Sequence, residues 1–590
     1  MLRSAVLSAL LTLSATPFSH AAAPALSTVA ERSGFQKTGR YDEVIALCAA
    51  FQKAYPKQVR CTEFGRTPEG RPMLALIASR SGALTAEAAH KRNLPVLLVQ
   101  GGIHAGEIDG KDAGFLALRE ALQDSSANSV LDKQVLVFVP VFNIDGHERF
   151  GRWNRPNQRG PEEMGWRTTG QNFNLNRDYA KADAPEMQAM LQLVNRWDPL
   201  AYIDLHVTDG AKFEHDVSIQ VEPVHASDLA QRKDGEALRD AVISDLSKQG
   251  SLPLPFYMSF KVDDDPSSGF VDGVSPPRFS TGYFHLRNRF GMLVETHSWK
   301  DYPTRVRITH NTIVSIMAQI AAHGDAWLKN AQQADLRAAR LGGQPVALAY
   351  EASEKTRPVA FRGYEYTRTE SDISGALMTR YDESKPQVWN VTVRDDLQPD
   401  LSVNAPQAGY LVPAAHAAWV GQKLQQHGIA FRVLPAALNR VTLETFRATK
   451  CTFDAQSLES HQLLKLQGAW RSETRDLGAG ALFVPIAQAK ARLVMALLEP
   501  QAPDSLAAWG RFNNAFEKKE YMEAYVAEDV AREQLAADPA LAAEFKQKLA
   551  DDPAFAKDPA ARLEFFARRH SSWDERFNLY PVMRTAVVPG

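Results

Sequence analysis

Cysteine is scarce in this chain, three in 590 residues, which excludes a small scaffold stapled by many disulfides. A surplus of either charge is also missing. With 67 basic and 69 acidic residues the formal net charge is -2, so no global field draws the chain to nucleic acid or to an anionic membrane. Long apolar runs are absent as well: Ala5 to Leu13 falls short of the about 18 residues a spanning helix needs, and no later stretch reaches that length. No membrane span and no nucleic-acid partner are expected, and the partner has to be read from a local site.

What is present is an ordinary globular composition, 45% hydrophobic and 23% charged, which excludes a disordered or fibrous chain. The length leaves room for at least two domains. At the N-terminus Met1-Leu-Arg3, the apolar core Ala5 to Leu13, Pro17 and the small run Ala21-Ala-Ala23 read as a cleaved secretory signal over residues 1–23. The chain is therefore expected to be secreted or periplasmic. In that oxidising setting Cys48 and Cys61 are expected to form a disulfide, the alternative being two buried thiols. The bond would staple a helix over Tyr41 to Phe51 onto a strand from Gln58 to Phe64, for roughly 3 kcal/mol in the chain-entropy view.

Along the chain, residues 62–78 read as a hairpin turned at Pro68 and Gly70. Leu94 to Gln100 is a buried strand followed by a helix from Asp112, and Lys133 to Phe142 is a second buried strand. Gly151 to Gln171 has no apolar period and is a long loop, of the kind that usually carries function. A helix opens at Ala184 and runs to Trp197, with Asp183 as its expected N-cap. Strands follow at Ala201 to Val207 and Gly291 to Ser298, and a closing helix at Arg305 to Trp327. The alternation predicts an α/β fold with a mixed, largely parallel twisted sheet sandwiched by helices over residues 24–340. Residues 345–590 read as an appended α/β and helical domain. There Asp538-Pro, Asp552-Pro and Asp558-Pro each look like a helix N-cap followed by proline.

The chemistry gathers at His104-Ala-Gly-Glu107, on the turn between a strand and a helix, where open α/β sheets place their ligand crevice. An imidazole and a carboxylate are zinc ligands, and a catalytic zinc takes three protein ligands and leaves a fourth position open. His206, at the end of its strand, supplies the third. Glu295 ends another apolar strand, where an isolated buried carboxylate is costly unless it is paired or has a task. A metal-activated water with one carboxylate to take its proton is sufficient to hydrolyse an acyl bond. His297 shares a strand face with Glu295, and Asp204 shares one with His206. Asp263-Asp264-Asp265 reads as a solvated loop, its alternative being a specificity element that prefers basic side chains.

In order, His104-x-x-Glu107, Asn143-x-Asp-Gly146, Asn176-Arg177, His206 and the Glu295 strand resemble the zinc carboxypeptidases of the carboxypeptidase A type, over about residues 60 to 310. The resemblance implies a mixed eight-stranded sheet and one zinc per chain held by His104, Glu107 and His206. It makes Glu295 the general base and gives Asn176 and Arg177 the substrate's terminal carboxylate to bind. Two features depart from the family pattern. Asn174 stands where an aspartate often supports the first zinc histidine, and the arginine that polarises the scissile carbonyl has several candidates in Arg152, Arg155 and Arg159, of which Arg155 has the closest setting. Tyr283 is the candidate for the substrate tyrosine, or is packed in the core. The expected function is a zinc metallocarboxypeptidase acting on peptides with a free C-terminal carboxylate. The alternatives are a zinc amidase or endopeptidase on peptidoglycan stem peptides, an N-acyl amino acid deacylase, and, from another class, a metal-free binding module that keeps the fold.

Overall fold

The computed structural model describes residues 26–126 and 129–590, so the secretory signal expected over residues 1–23 lies outside the described residues. Nine strands form in the first part of the chain: β1 (Val59–Arg66), β2 (Pro72–Ala78), β3 (Val96–Gln100), β4 (Val135–Val139), β5 (Ala201–Val207), β6 (Val217–Glu222), β7 (Pro253–Leu254), β8 (Phe270–Val271) and β9 (Phe290–Thr296). Eight of them make one sheet in the order β1-β2-β4-β3-β5-β9-β6-β7. Its centre, β4-β3-β5-β9, is parallel, and β1, β2 and β6 join antiparallel. Every residue of β3, β4 and β5 is buried. Continuous apolar runs of this kind need cover on both faces.

Helices supply that cover. On one side the helices Tyr41–Ala54 and Asp109–Gln123 meet where Phe51 stacks on Phe115, and Tyr302–Ala338 packs along Asp109–Gln123 and Leu229–Lys248. Leu205 of β5 fits against Gly110, where a Cβ would come within 2.8 Å of its side chain. On the opposite face Tyr202, two residues before Asp204 and four before His206, stacks on Phe284 at 4.2 Å. Strand alternation thus sets Leu205 on the face covered by the helix Asp109–Gln123 and His206 on the other. Cys48 of the first helix is bonded to Cys61 of β1.

Among the boundaries that differ from expectation, two matter here. The closing helix runs over 37 residues, because Ala331, Ala334 and Ala338 continue its buried stripe beyond Trp327. Asp183 does not cap the helix Pro185–Trp197, whose N-cap is Ala184 without a side-chain bond. It is held instead by His461, Lys423 and Arg511 from the C-terminal region.

That region adds β10 (Pro345–Ala352), β11 (Arg357–Glu370), β12 (Leu377–Arg394), β13 (Leu397–Asn404), β14 (Gly409–Val412), β15 (Arg432–Val433), β16 (Leu438–Phe453), β17 (Leu464–Leu477), β18 (Leu482–Pro485) and β19 (Met583–Thr585). The last six form an antiparallel sheet, and Asp538, Asp552 and Asp558 each cap a short helix. A contiguous core links both parts of the chain, from Val99 and Ile203 to Tyr410 and Val484. The β11–β12 hairpin reaches back over the first part: β12 pairs with β8, and Phe361 and Trp389 join Phe213, Phe256 and Phe270 in a core of their own. Among the described residues no helix is long and apolar enough to cross a membrane.

Candidate active site

The site sits at the carboxyl ends of β3, β5 and β9. After β3 the chain turns at Gly101 and Gly102. Gly102 has φ +61°, and a Cβ on Gly101 would come within 2.7 Å of the Pro140 carbonyl oxygen, so the bend accepts glycine alone. It delivers His104 and Glu107 just before the helix that starts at Asp109. His206 and Glu295 are register partners on adjacent parallel strands, which sets them side by side.

His104 Nδ1 lies 3.0 Å from Glu107 Oε1, and His206 Nδ1 lies 2.9 Å from Glu107 Oε2. The donor atoms of these three buried residues all fall within 4.8 Å of one another. Burial pushes the His104 imidazole down to about 4 against the pull of Glu107, which leaves it a neutral donor. For Glu107 burial opposes ionisation, but His104 and Arg155 beside it hold the carboxyl well below its usual range. Each imidazole also has support behind it. His104 Nε2 is 3.1 Å from Asn174 Oδ1, and His206 Nε2 is 3.0 Å from Asp204 Oδ1, although out of line for a hydrogen bond. Two imidazole nitrogens and a carboxylate, buried and braced from behind, fit a zinc ion.

Glu295 faces this group with Oε2 buried and without a partner. Burial raises its carboxyl pKa above the usual range; His206 opposes that shift, while Glu107, Asp209 and Asp204 add to it. The end of β9 is fixed from below: Thr296 Oγ1 donates to Asp109 Oδ2 at 3.0 Å, and Arg305 Nε donates to the same oxygen at 2.9 Å.

A cleft of about 470 Å³ opens over the site, with Arg167, Asn176, Arg177, Tyr257 and Phe279 in its wall. Arg177 lies over the Phe279 ring at 4.5 Å and donates to the Asn176 carbonyl oxygen, and among the described residues no carboxylate is within ion-pair distance of it. Burial lowers its pKa, with Arg167 and Arg278 adding to the shift. Asp178, its neighbour, is committed to Lys181 and to the amides of Asp183 and Ala184.

Two expected residues lie elsewhere. Arg155 is not in the cleft wall: its guanidinium is held 2.9 Å from Glu107 Oε1 with the side chain 9% exposed, so it braces a candidate metal ligand. Of the arginines in the long loop, Arg167 is the one in the cleft wall, 3.5 Å from Glu107 and more open to solvent. Tyr283 is fully buried; its hydroxyl meets His427 Nδ1 at 2.9 Å and its ring packs on Tyr179, so it is a core residue. The tyrosine in the cleft is Tyr257, whose hydroxyl is raised by burial and by Glu295, Asp209 and Glu107. Both substitutes sit on irregular segments, where sequence carries no period to say which side chain points inward. For Arg167 the one available signal was its place in the same long loop, shortly before Asn176.

The zinc carboxypeptidase family model matches residues 44–229. Among curated proteins, a carboxypeptidase B of Helicoverpa zea is 28% identical over 113 residues, 18% of this chain and 25% of that protein. An inactive metallocarboxypeptidase of Schizosaccharomyces pombe, ecm14, is 36% identical over 89 residues, 14% of this chain and 18% of that protein. The chain thus spans a quarter or less of the length of these relatives. Among solved structures, a metallo-carboxypeptidase from Burkholderia cenocepacia aligns at 17% identity and a TM-score of 0.35, covering 48% of this chain and 69% of that one.

Proposed function

We propose, for a chain whose residues 44–229 match the zinc carboxypeptidase family model, that this protein removes C-terminal residues from peptides with a free terminal carboxylate. His104, Glu107 and His206 would hold one zinc, and the metal when bound supplies a Lewis acid that polarises a carbonyl and acidifies water. Glu295 takes the proton of the attacking water at its unpartnered Oε2 and delivers it to the departing amine. Arg167, at the cleft wall beside Glu107, supports the charge that develops on the carbonyl oxygen. Arg177, with Asn176, receives the terminal carboxylate through a planar fork of donors.

Arg177 is the observation that carries the reading. A half-buried guanidinium beside two others, with no carboxylate within ion-pair distance among the described residues, is a receptor for an anion that arrives with the substrate. One curated relative carries the name of an inactive metallocarboxypeptidase, whereas this chain brings His104, Glu107 and His206 together and sets Glu295 in the same cleft. The Cys48–Cys61 bond supports a secreted or periplasmic location. The test compares matched peptides with free and amidated C-termini on the zinc-loaded protein. Release from the free peptide alone is expected. Equal cleavage of both would overturn the exopeptidase reading and leave an endopeptidase or amidase on the same residues.

A further inference from the structure

The cleft continues past Tyr257. A second cavity of about 490 Å³ shares Asp209, Tyr257 and Ser259 with the metal cleft, and is lined further on by Asp263, Asp264 and Tyr381. Tyr381 comes from β12, so the C-terminal hairpin builds part of the wall. The hairpin is seated there firmly. Phe213 bridges Gly363, Thr379 N donates to Asp264 Oδ2 at 2.9 Å, and Glu383 takes both Arg159 at 2.6 Å and Lys212 at 2.8 Å.

The lining is one-sided in charge. It holds three carboxylates, Asp209, Asp263 and Asp264, and no lysine or arginine. Arg159 and Lys212, the nearby cations, are engaged by Glu383 and lie over Trp299. Asp265 is taken by Arg368 at 2.8 Å, whereas Asp209 and Asp263 enter no ion pair among the described residues. Phe213, Phe260, Trp299 and Tyr381 add aromatic surface, and the Tyr381 hydroxyl is buried without a partner. Carboxylates over aromatic walls suit a long cationic side chain, whose stem packs on the rings while its head reaches the charges. Arg177 and Asn176 line the metal cleft and not this chamber. A peptide anchored there by its terminal carboxylate continues only in the N-terminal direction.

We propose that the second chamber is a subsite, built with the C-terminal hairpin, for a lysine or arginine side chain on the N-terminal side of the bond cut at the metal centre. The inference rests on the peptidase reading for its direction along the chain. It is tested on the zinc-loaded full chain carrying Glu295→Gln, which holds peptide without turnover. Labelled peptides of one length and one C-terminal residue carry Lys, Gln or Glu at the upstream positions. The Lys peptide is expected to bind about tenfold more tightly than the Glu peptide, the scale of one to two exposed charge pairs. The gap should narrow at high salt, and severalfold when Asp263→Asn is added. In the otherwise wild-type enzyme Asp263→Asn should leave turnover of a blocked dipeptide, too short to reach the chamber, unchanged. Equal binding of Lys and Glu peptides, or a gap indifferent to Asp263→Asn, would overturn the proposal. A preserved Lys preference without release from any free-terminus peptide would instead sink the peptidase reading and leave the chamber standing.

Discussion

The floor and the wall of the cleft are built differently. On the floor, His206 and Glu295 are set by strand register, and His104 and Glu107 by a glycine bend at the end of a fully buried strand. The wall consists of loops, and what holds them comes largely from the other part of the chain. Asn174 N donates to Glu459 Oε2 at 3.1 Å, Arg278 pairs with Asp504 at 2.8 Å, and Asp183 gathers Lys423, His461 and Arg511. Reactive groups need placement within fractions of an ångström, which a sheet provides. Binding groups can ride on loops, provided that something outside the loops fixes them, and here the C-terminal region does so.

Substitutions on the floor should cost most. Glu295→Gln should keep zinc by elemental analysis and lose about 10² to 10⁴ in kcat, the range for removing a general base. His206→Ala should lose both zinc and turnover. Stoichiometric zinc in His206→Ala would move the metal elsewhere. At the wall Arg177→Ala should cut kcat/KM on the order of 10², since truncating one side of a desolvated charge pair costs about 2 to 5 kcal/mol. Zinc content should stay unchanged, and an amidated peptide should lose nothing further. A variant equally impaired on free and amidated peptides would make Arg177 a structural residue.

How far each half was legible follows from the same contrast. An apolar strand that ends in a histidine or a glutamate announces itself, because burial of a polar group at that place calls for a reason; His206 and Glu295 could be read so. The mixed sheet follows from alternating strand and helix patterns, and Cys48 and Cys61 are near enough in sequence to meet locally. The loop Gly151 to Gln171 has no period, so nothing in it separates Arg155, which turns under Glu107, from Arg167, which faces the cleft. Tyr283 was open to misreading for another reason: its partner His427 lies 144 residues away, and long-range packing leaves no local mark. The pairing of β8 with β12, across more than a hundred residues, was hidden in the same way.

If the C-terminal region holds the wall, loosening that hold should change binding before chemistry. Asp183→Asn keeps the shape and removes the charge that Lys423 Nζ meets at 2.8 Å, with Lys423 itself 8% exposed. Removing one partner of a buried pair is strongly destabilising, about 3 kcal/mol or more where burial is complete and less here, where the carboxyl is partly open. The expected signature is a lower melting temperature and a KM raised several-fold with kcat nearly kept. A fall in kcat with KM unchanged would show that the region supports the floor as well.

The smallest effect concerns a second buried carboxyl that resembles Glu295 but has no place in the cleft. Glu186, in the first turn of the helix Pro185–Trp197, is 1% exposed, and neither of its oxygens has a hydrogen-bond partner. Burial, with Asp145 and Asp178 adding, pushes its carboxyl up to about 7 from an ordinary 4.5. The folded state therefore holds the proton more tightly than the unfolded chain does. Below about pH 4.5 both states are protonated and the neutral carboxyl favours the fold in full. As the pH rises from there towards 7 the unfolded chain gives up its proton first and stability falls; above 7 the loss is complete. Glu186→Gln removes the titration, so the variant should gain on the order of 1 kcal/mol or more over wild type at pH 8 and little at pH 4.5, read as the difference in denaturation midpoints at the two pH values. Its kcat/KM should match wild type, because the residue touches neither the metal ligands nor the cleft. A variant that gains equally at both pH values would show that Glu186 is destabilising through its shape and not its charge. A loss of turnover would put a third carboxylate into the chemistry and erase the line between floor and scaffold.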